Sequence, residues 1–237
     1  MSIKPKLVVS TGAGISAESG ISTFRDSGGL WEQYDVMEVA SHEGYVCNPG
    51  LIHRFYNARR KQAATAQPNA AHEALAQLEE LFDVYIITQN VDTLHERAGS
   101  SKVLHLHGRL DAVEATDDPD KVFILENPDI ETTVDTVIDG HHVRPHIVFF
   151  GEAVPNFEKA TDLVREADVF VIIGTTLSVY PAASLLHYVR PKVPIFYIDP
   201  NPANNITSRV YTIPMKATEG MEELTMILAE WLRRQPK

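Results

Sequence analysis

Leu7-Val8-Val9-Ser10-Thr11-Gly12-Ala13-Gly14-Ile15-Ser16-Ala17 is the stretch on which the reading of this chain turns. Leu7–Ser10 is a short apolar run with the β-branched bias of a buried strand, and it opens directly into two glycines. Glycines at such a turn let the backbone approach a pyrophosphate, and the N-terminus of the helix that follows faces the negative charge. As a bare spacing, G-x-G-x-x-A is common after strands. The strand before it and the short helix expected after it give Gly12, Ala13, Gly14 and Ser16 a cofactor-binding reading.

Outward from this turn, further strands are predicted at Val84–Thr88, Val103–Leu106, Ile147–Phe150, Val169–Ile173, Ile195–Ile198 and Val210–Ile213. Near-continuous hydrophobicity, rather than alternation, is what a parallel strand covered on both faces requires. Helical spacing lies between them: Ala71, Leu75, Leu78 and Leu81 within Ala70–Phe82, then Phe157–Ala167, Ala182–Val189 and Met221–Leu232. Strands alternating with helices predict an α/β fold, a Rossmann-like doubly wound parallel sheet. Two stretches break the rhythm. Residues from about 34 to 68 read as a helical insertion with no strand ahead of it, and 109–146 as acidic and irregular. Together they predict a small inserted lobe beside a large part made of about 1–33, 69–108 and 147–237, all within one domain.

Composition narrows the function. Among 237 residues, 21 Lys and Arg stand against 32 Asp and Glu, a formal charge of −11. That balance, with no cluster of basic residues, argues against a nucleic-acid partner. A hydrophobic share of 44% excludes a disordered or collagen-like chain. No apolar run approaches the roughly 18–20 residues that cross a bilayer, so no membrane partner is expected. Met1–Lys6 is too short and too basic to read as a signal peptide. The single cysteine, Cys47, excludes an internal disulfide and fits a reducing, cytoplasmic compartment. No apolar stripe large enough for a dimer stands out, which leaves a monomer as the default.

The remaining motifs cluster at predicted strand ends. Thr88-Gln89-Asn90-Val91-Asp92 follows a buried strand, where open α/β sheets bind ligands; it also reads as a turn in which Asp92 caps a helix. His105-Leu106-His107-Gly108 ends the next strand. A histidine there suits a general base at neutral pH, and alternation puts both imidazoles on one face, so a metal pair and a structural role are both open. His141, His142 and His146 lack companions at ligand spacing and read as solvated or lobe-packing residues. Gly174-Thr175-Thr176 is another small-residue turn after a strand. Asp199 stands where a late strand meets a ribose hydroxyl, or serves the turn Asp-Pro-Asn-Pro. An ordinary dehydrogenase would place a second strand ending in an acid about 20 residues on. Here the chain gives Thr23-Phe24-Arg25-Asp26-Ser27-Gly28-Gly29, a polar loop.

Taken in order, these pieces resemble the sirtuin family of NAD-dependent lysine deacylases. The likeness rests on Gly12-Ala13-Gly14-Ile15-Ser16, Thr23-Phe24-Arg25, Gln89-Asn90-Val91-Asp92, Leu106-His107-Gly108, Phe150-Gly151-Glu152 and Gly174-Thr175-Thr176. It implies a cleft that holds NAD and an acyl-lysine protein or peptide, and yields free lysine, nicotinamide and O-acyl-ADP-ribose. It makes His107 the general base toward the nicotinamide-ribose hydroxyls. Gln89, Asn90 and Asp92 would position that ribose and the carboxamide, Phe24 would shield the reactive carbon, and Arg25, beside Thr23, would face phosphate. Gly174, Thr175 and Thr176 would line the adenosine side, with Asp199 and Ala217 nearby. Val148, Phe150 and Gly151 would border the acyl-lysine, the peptide adding as a strand against Gly151-Glu152.

Three departures accompany the resemblance. The family usually holds its small lobe with four cysteines on zinc, and this chain has Cys47 alone, so no zinc is expected. Asp199 stands where asparagine is common, and Val91 replaces the usual isoleucine. Tyr56 and Arg59 lie three apart on a predicted helix over Leu51–Arg60. This Tyr-x-x-Arg resembles the signature of the desuccinylase and demalonylase subgroup, in which the pair would meet a succinyl or malonyl carboxylate; an ordinary surface pair is the plainer reading. Rival functions are an ADP-ribosyltransferase in the same cleft, an NAD-binding module whose chemistry has lapsed, and a plain dehydrogenase.

Overall fold

A computed structural model of the chain describes residues 4–21, 34–203 and 208–235. In chain order its strands are β1 (Lys6–Thr11), β2 (Asp83–Thr88), β3 (Val103–His105), β4 (Gly108–Ala115), β5 (Val122–Ile124), β6 (Val137–Ile138), β7 (His141–Ile147), β8 (Val169–Ile173), β9 (Ile195–Ile198) and β10 (Val210–Ile213). The helices are α1 (Val36–Ala40), α2 (His42–Cys47), α3 (Pro49–Thr65), α4 (Ala70–Gln77), α5 (Leu94–Arg97), α6 (Phe157–Glu166) and α7 (Ala217–Arg233).

The large sheet is parallel, in the order β10-β9-β8-β1-β2-β3, with β1 paired to β2 on one side and to β8 on the other. The doubly wound parallel sheet is therefore as expected. Its apolar runs follow from having both faces covered. Leu7 and Val9 point into a core shared with Leu75 of α4 and Leu224 of α7. Val8, between them, points the other way, into a core with Val164 of α6 and Leu185. Chain order reverses between β1 and β8, so the crevice at their C-terminal ends is where such sheets bind ligands.

Three sequence expectations are corrected. Residues 109–146 are largely ordered as an antiparallel sheet, β5-β4-β7-β6. The acidic composition concealed β4, in which Leu110, Ala112 and Ala115 are buried while Arg109, Asp111 and Glu114 lie on the wetter face. Ile147–Phe150 is not a strand of the parallel sheet: Ile147 ends β7, and Phe150 instead exchanges backbone hydrogen bonds with Ala40 (2.8 Å) and His42 (2.9 Å). An apolar run of four residues does not say which sheet it joins. The expected helix over Ala182–Val189 is a 3₁₀ stretch, Ala182–Tyr188. Likewise, Gly12 leads into two 3₁₀ turns, Ala13–Ile15 and Ala17–Ser19.

α3 anchors the small sheet through buried polar groups. Arg60, 3% exposed, donates to Asn57 Oδ1 at 2.6 Å and to the carbonyls of Ile130, Pro128 (3.4 Å) and Leu110 (3.5 Å). Asn57 in turn donates to the Thr132 carbonyl (2.9 Å), and His53 Nδ1 meets Thr132 Oγ1 at 3.0 Å. Burial, foremost, and the nearby Arg60 push His53 down to about 4, so it stays neutral at neutral pH. The chain's one cysteine, Cys47, is exposed at the end of α2, so a four-thiolate zinc site does not fit this sequence. Among the described residues, no helix is long and apolar enough to cross a membrane.

Replacing Arg60 by Met keeps the apolar stem and removes a charged donor shared by several carbonyls. We expect it to lower the unfolding free energy by about 2–4 kcal/mol in urea titrations; an unchanged midpoint would contradict this anchoring.

Candidate active site at the sheet switch point

The site is built where two glycine turns touch. After β1, the Gly12 amide donates to the Ile173 carbonyl (3.0 Å) and the Gly14 amide to the Gly174 carbonyl (2.8 Å). A Cβ on Gly14 would lie 2.6 Å from Gly174 Cα, and one on Gly12 would lie 2.7 Å from Thr175 Cβ. Gly174 itself has φ +62, a conformation that glycine adopts readily. Next along the edge, Gln89 Nε2 donates to Thr175 Oγ1 (3.3 Å), and the Tyr197 hydroxyl donates to the Thr175 carbonyl (2.8 Å). The ends of β1, β2, β8 and β9 are thereby tied into one rim.

A buried polar layer lies beneath it. Ser16 Oγ donates to Asp92 Oδ2 (3.1 Å) and accepts from Asn90 Nδ2 (3.1 Å). Asp92 Oδ1 accepts the Leu94 N–H at 3.0 Å, in the turn that leads into α5, whose N-cap residue is Thr93. Burial raises Asp92 from its ordinary value; the hydrogen bonds from Leu94 and Ser16 and the charge of His105 oppose that rise. Below, the Asn90 amide donates to Thr88 Oγ1 (3.0 Å), which accepts from Thr11 Oγ1 (2.9 Å). Thr11 Oγ1 also meets Nε2 of the buried His95 at 3.1 Å.

The two histidines of the His-Leu-His motif face successive peptide carbonyls. His107 Nδ1 lies 3.1 Å from the Gln89 oxygen and His105 Nδ1 lies 3.0 Å from the Asn90 oxygen. A carbonyl only accepts, so His107 carries its proton on Nδ1 and its lone pair on Nε2. Burial lowers its pKa, partly countered by the Gln89 carbonyl. His105 Nε2 meets Glu96 Oε1 at 2.8 Å, so both of its nitrogens are engaged within the protein. No group of three His, Cys, Asp or Glu side chains suited to a metal occurs among the described residues. His141 pairs with Asp117 (2.8 Å) and His146 with Glu114 (2.6 Å) in the small sheet.

The opposite wall comes from α3 and the 147–152 turn. Tyr56 is buried against Phe149 and Phe55, with ring centroids 5.8 and 5.2 Å away. Arg59 lies over the rings of Tyr56 (5.8 Å) and Phe55 (5.9 Å). Burial, foremost, pushes Tyr56 up to about 12 and lowers Arg59; the negative charge of Asp92 favours the guanidinium. Val91, part of the Gln89–Asp92 segment, packs in the same apolar cluster as Tyr56 and Phe149. Arg144 braces this wall, its guanidinium beside the stacked rings of Tyr45 (4.6 Å) and Phe149 (4.5 Å) and paired with Glu152 at 2.8 Å. Glu152 Oε2 accepts the Phe149 amide at 2.9 Å.

The structure thus gathers Gly12, Ala13, Gly14, Ser16, Gln89, Asn90, Asp92, Gly174 and Thr175 along one rim. Thr176 continues that turn, its hydroxyl 2.7 Å from Ser178 Oγ. Asp199 is buried at the end of β9 and accepts the Asn201 amide (2.8 Å), a turn role like the one its neighbours suggested. Ala217 starts α7 and is buried in the core below the sheet. Val148 is part-buried, Phe150 is 45% exposed, and Gly151 adopts φ +94. Thr23, Phe24 and Arg25 lie outside the described residues. Glu96 and Arg144 escaped the sequence reading because neither lies in a motif with a spacing that signals its partner, His105 and Glu152 respectively.

The Sir2 family model matches residues 12–181. The chain belongs to the Sir2 family. Two Sir2-family relatives carry the name NAD-dependent protein deacylase. That of Bacteroides thetaiotaomicron is 55% identical over 227 residues, covering 94% of this chain and 97% of its own. That of Helicobacter pylori is 50% identical over 225 residues, covering 94% and 97%. Among solved structures, a Sir2 homologue in complex with NAD superposes with TM-score 0.85 at 38% identity, covering 97% of this chain and 91% of that one. A Sir2 protein with deacetylated p53 peptide and 3′-O-acetyl ADP ribose gives 0.75 at 31% identity, covering 94% of each.

The contact between the two glycine turns of this Sir2 chain leaves no room for a side chain. Gly14→Ala drives a Cβ into Gly174 backbone, and we expect a loss of about 1–3 kcal/mol. Thermal unfolding of the variant checks this; a melting temperature equal to the parent's would mean that the turns are not held in contact.

Proposed function

We propose that the chain removes acyl groups from protein lysines in an NAD-dependent reaction, with a pocket that favours succinyl and malonyl groups and also accepts acetyl. The acid preference is carried by one observation: Arg59 lies over the ring of the buried Tyr56, 5.8 Å from its centroid, within an aromatic wall, so that a guanidinium and a phenol stand side by side. A carboxylate accepts from the guanidinium and the phenol together, at roughly 1.5–3 kcal/mol per charged hydrogen bond. An acetyl methyl offers neither acceptor.

The donor set of the rim fits a dinucleotide: glycine turns open to close backbone approach, with amide, hydroxyl and carboxylate side chains beside them. When bound, NAD supplies an electrophilic ribose carbon and nicotinamide as leaving group. His107 is the general base. Its Nε2 lone pair, set by the Gln89 carbonyl, takes a proton from a ribose hydroxyl. Asn90 and Asp92 orient the nicotinamide ribose and carboxamide, and Gln89 holds the ribose. Gly12, Ala13, Gly14 and Ser16 face phosphate, while Gly174, Thr175 and Thr176 line the adenosine side, with Asp199 and Ala217 near it. Val148, Phe150 and Gly151 border the lysine chain. The products are free lysine, nicotinamide and O-acyl-ADP-ribose.

Two experiments test this reading. Arg59→Met is expected to cut kcat/KM on succinyl-lysine peptide by about 10- to 100-fold while sparing or raising that on acetyl-lysine. Equal losses on both would sink the acid-recognition idea. His107→Ala should abolish turnover yet keep NAD binding measurable by calorimetry. In the parent, a lowered His107 pKa keeps the base neutral to lower pH, so kcat/KM should fall only as pH drops below the ordinary imidazole value of about 6.5. An acidic limb centred above that value contradicts the assignment.

A further inference from the structure

His105 is the member of the His-Leu-His motif that the proposed chemistry leaves without a task. It is 9% exposed and is held from three directions. Its Nδ1 meets the Asn90 carbonyl (3.0 Å), its Nε2 meets Glu96 Oε1 (2.8 Å), and its own carbonyl accepts from Asn156 Nδ2 (2.9 Å). One of its ring partners is a carbonyl and the other a carboxylate; both only accept, so both bonds form together when the ring carries two protons. Glu96, which burial alone would push up, is held below its ordinary value by the hydrogen bond and charge of His105. The pair sits between α5 and the end of β3, directly behind the segment that carries Gln89, Asn90 and Asp92.

That segment is also held by the Gln89 N–H on the Thr11 carbonyl (2.9 Å), the Asn90 N–H on Thr88 Oγ1 (3.0 Å) and the Leu110 N–H on the Val91 carbonyl (2.8 Å), but its first two carbonyls face the histidines. The Gln89 oxygen faces His107, the Asn90 oxygen faces His105, and Asp92 is tied forward to Ser16. We propose that His105, backed by Glu96, is a positioning residue: by holding the Asn90 carbonyl it fixes the Asn90–Val91 peptide, next to the Gln89–Asn90 peptide whose carbonyl orients His107, and places Asn90 and Asp92 on the cofactor side of the cleft. This rests on the deacylase reading and adds to it a pair that touches neither NAD nor the acyl-lysine. Because the pair holds the segment that carries Asn90 and Asp92 and touches none of Tyr56, Arg59 and Phe149, its loss should be felt by NAD and spare the peptide.

Two substitutions separate reach from charge. Glu96→Asp keeps the charge but draws the carboxylate back from His105 by one methylene. Glu96→Gln keeps the reach, its amide donating to a singly protonated ring. Steady-state kinetics of both, with NAD and acyl-peptide varied in turn, should show KM for NAD rising about tenfold and kcat falling in Glu96→Asp. KM for the peptide should be unchanged in both, and Glu96→Gln should stay close to the parent. The proposal is overturned if Glu96→Asp keeps the parent's KM for NAD, or if its two KM values rise together, as general loosening would cause. The parent is assayed first. A parent that binds NAD but deacylates no peptide contradicts the deacylase reading instead, and the calorimetric NAD affinity of Glu96→Asp against the parent then decides the positioning role.

Discussion

The Gly14 amide reaches the Gly174 carbonyl across 2.8 Å, and at that separation no side chain fits between the two turns. This contact holds the first strand's turn against the turn of its neighbour, at the place where the parallel sheet reverses its order. Everything that faces the cleft is referenced to it. Thr175, one residue beyond, receives Gln89 from β2 and Tyr197 from β9. Ser16, two residues beyond Gly14, joins Asn90 to Asp92. A crevice assembled from four strand ends is rigid because its parts are hydrogen-bonded to one another before any ligand arrives.

The second wall is made differently. Packing dominates on α3 and the 147–152 turn, where Tyr34, Phe55, Tyr56, Tyr45 and Phe149 form a chain of ring contacts. Charges are embedded in that wall. Arg144 contacts the stacked rings of Tyr45 and Phe149 and is paired with Glu152, while Arg59 lies over the rings of Tyr56 and Phe55. A guanidinium stacks on aromatic faces and keeps its charge when buried, which a lysine would not do as readily. The polar rim and the aromatic wall join at Val91, which belongs to the Gln89–Asp92 segment and packs with Tyr56 and Phe149.

Much of this was legible in the sequence for physical reasons. Strands covered on both faces have to be apolar throughout, so β1, β8 and β9 announced themselves. Glycines at a close approach cannot be replaced, so the two turns stood out, and their order along the chain carried the family resemblance. The antiparallel sheet was hidden because one of its faces is wet, and Arg109, Asp111 and Glu114 in β4 read as an acidic loop. The run Ile147–Phe150 misled because hydrophobicity does not choose between sheets. The anchor that ties α3 to the small lobe was invisible: Arg60 meets carbonyls of residues 110, 128 and 130. Partners that distant in sequence leave no local spacing to read.

The most direct test of the account is the specificity of the unmodified protein. With NAD saturating, kcat/KM is measured on one lysine peptide carrying acetyl, malonyl, succinyl or glutaryl groups in turn. The account predicts NAD-dependent release of nicotinamide with each acyl group that is removed, and values for succinyl and malonyl above that for acetyl. Acetyl removed as fast as or faster than succinyl and malonyl would contradict the role given to Tyr56 and Arg59.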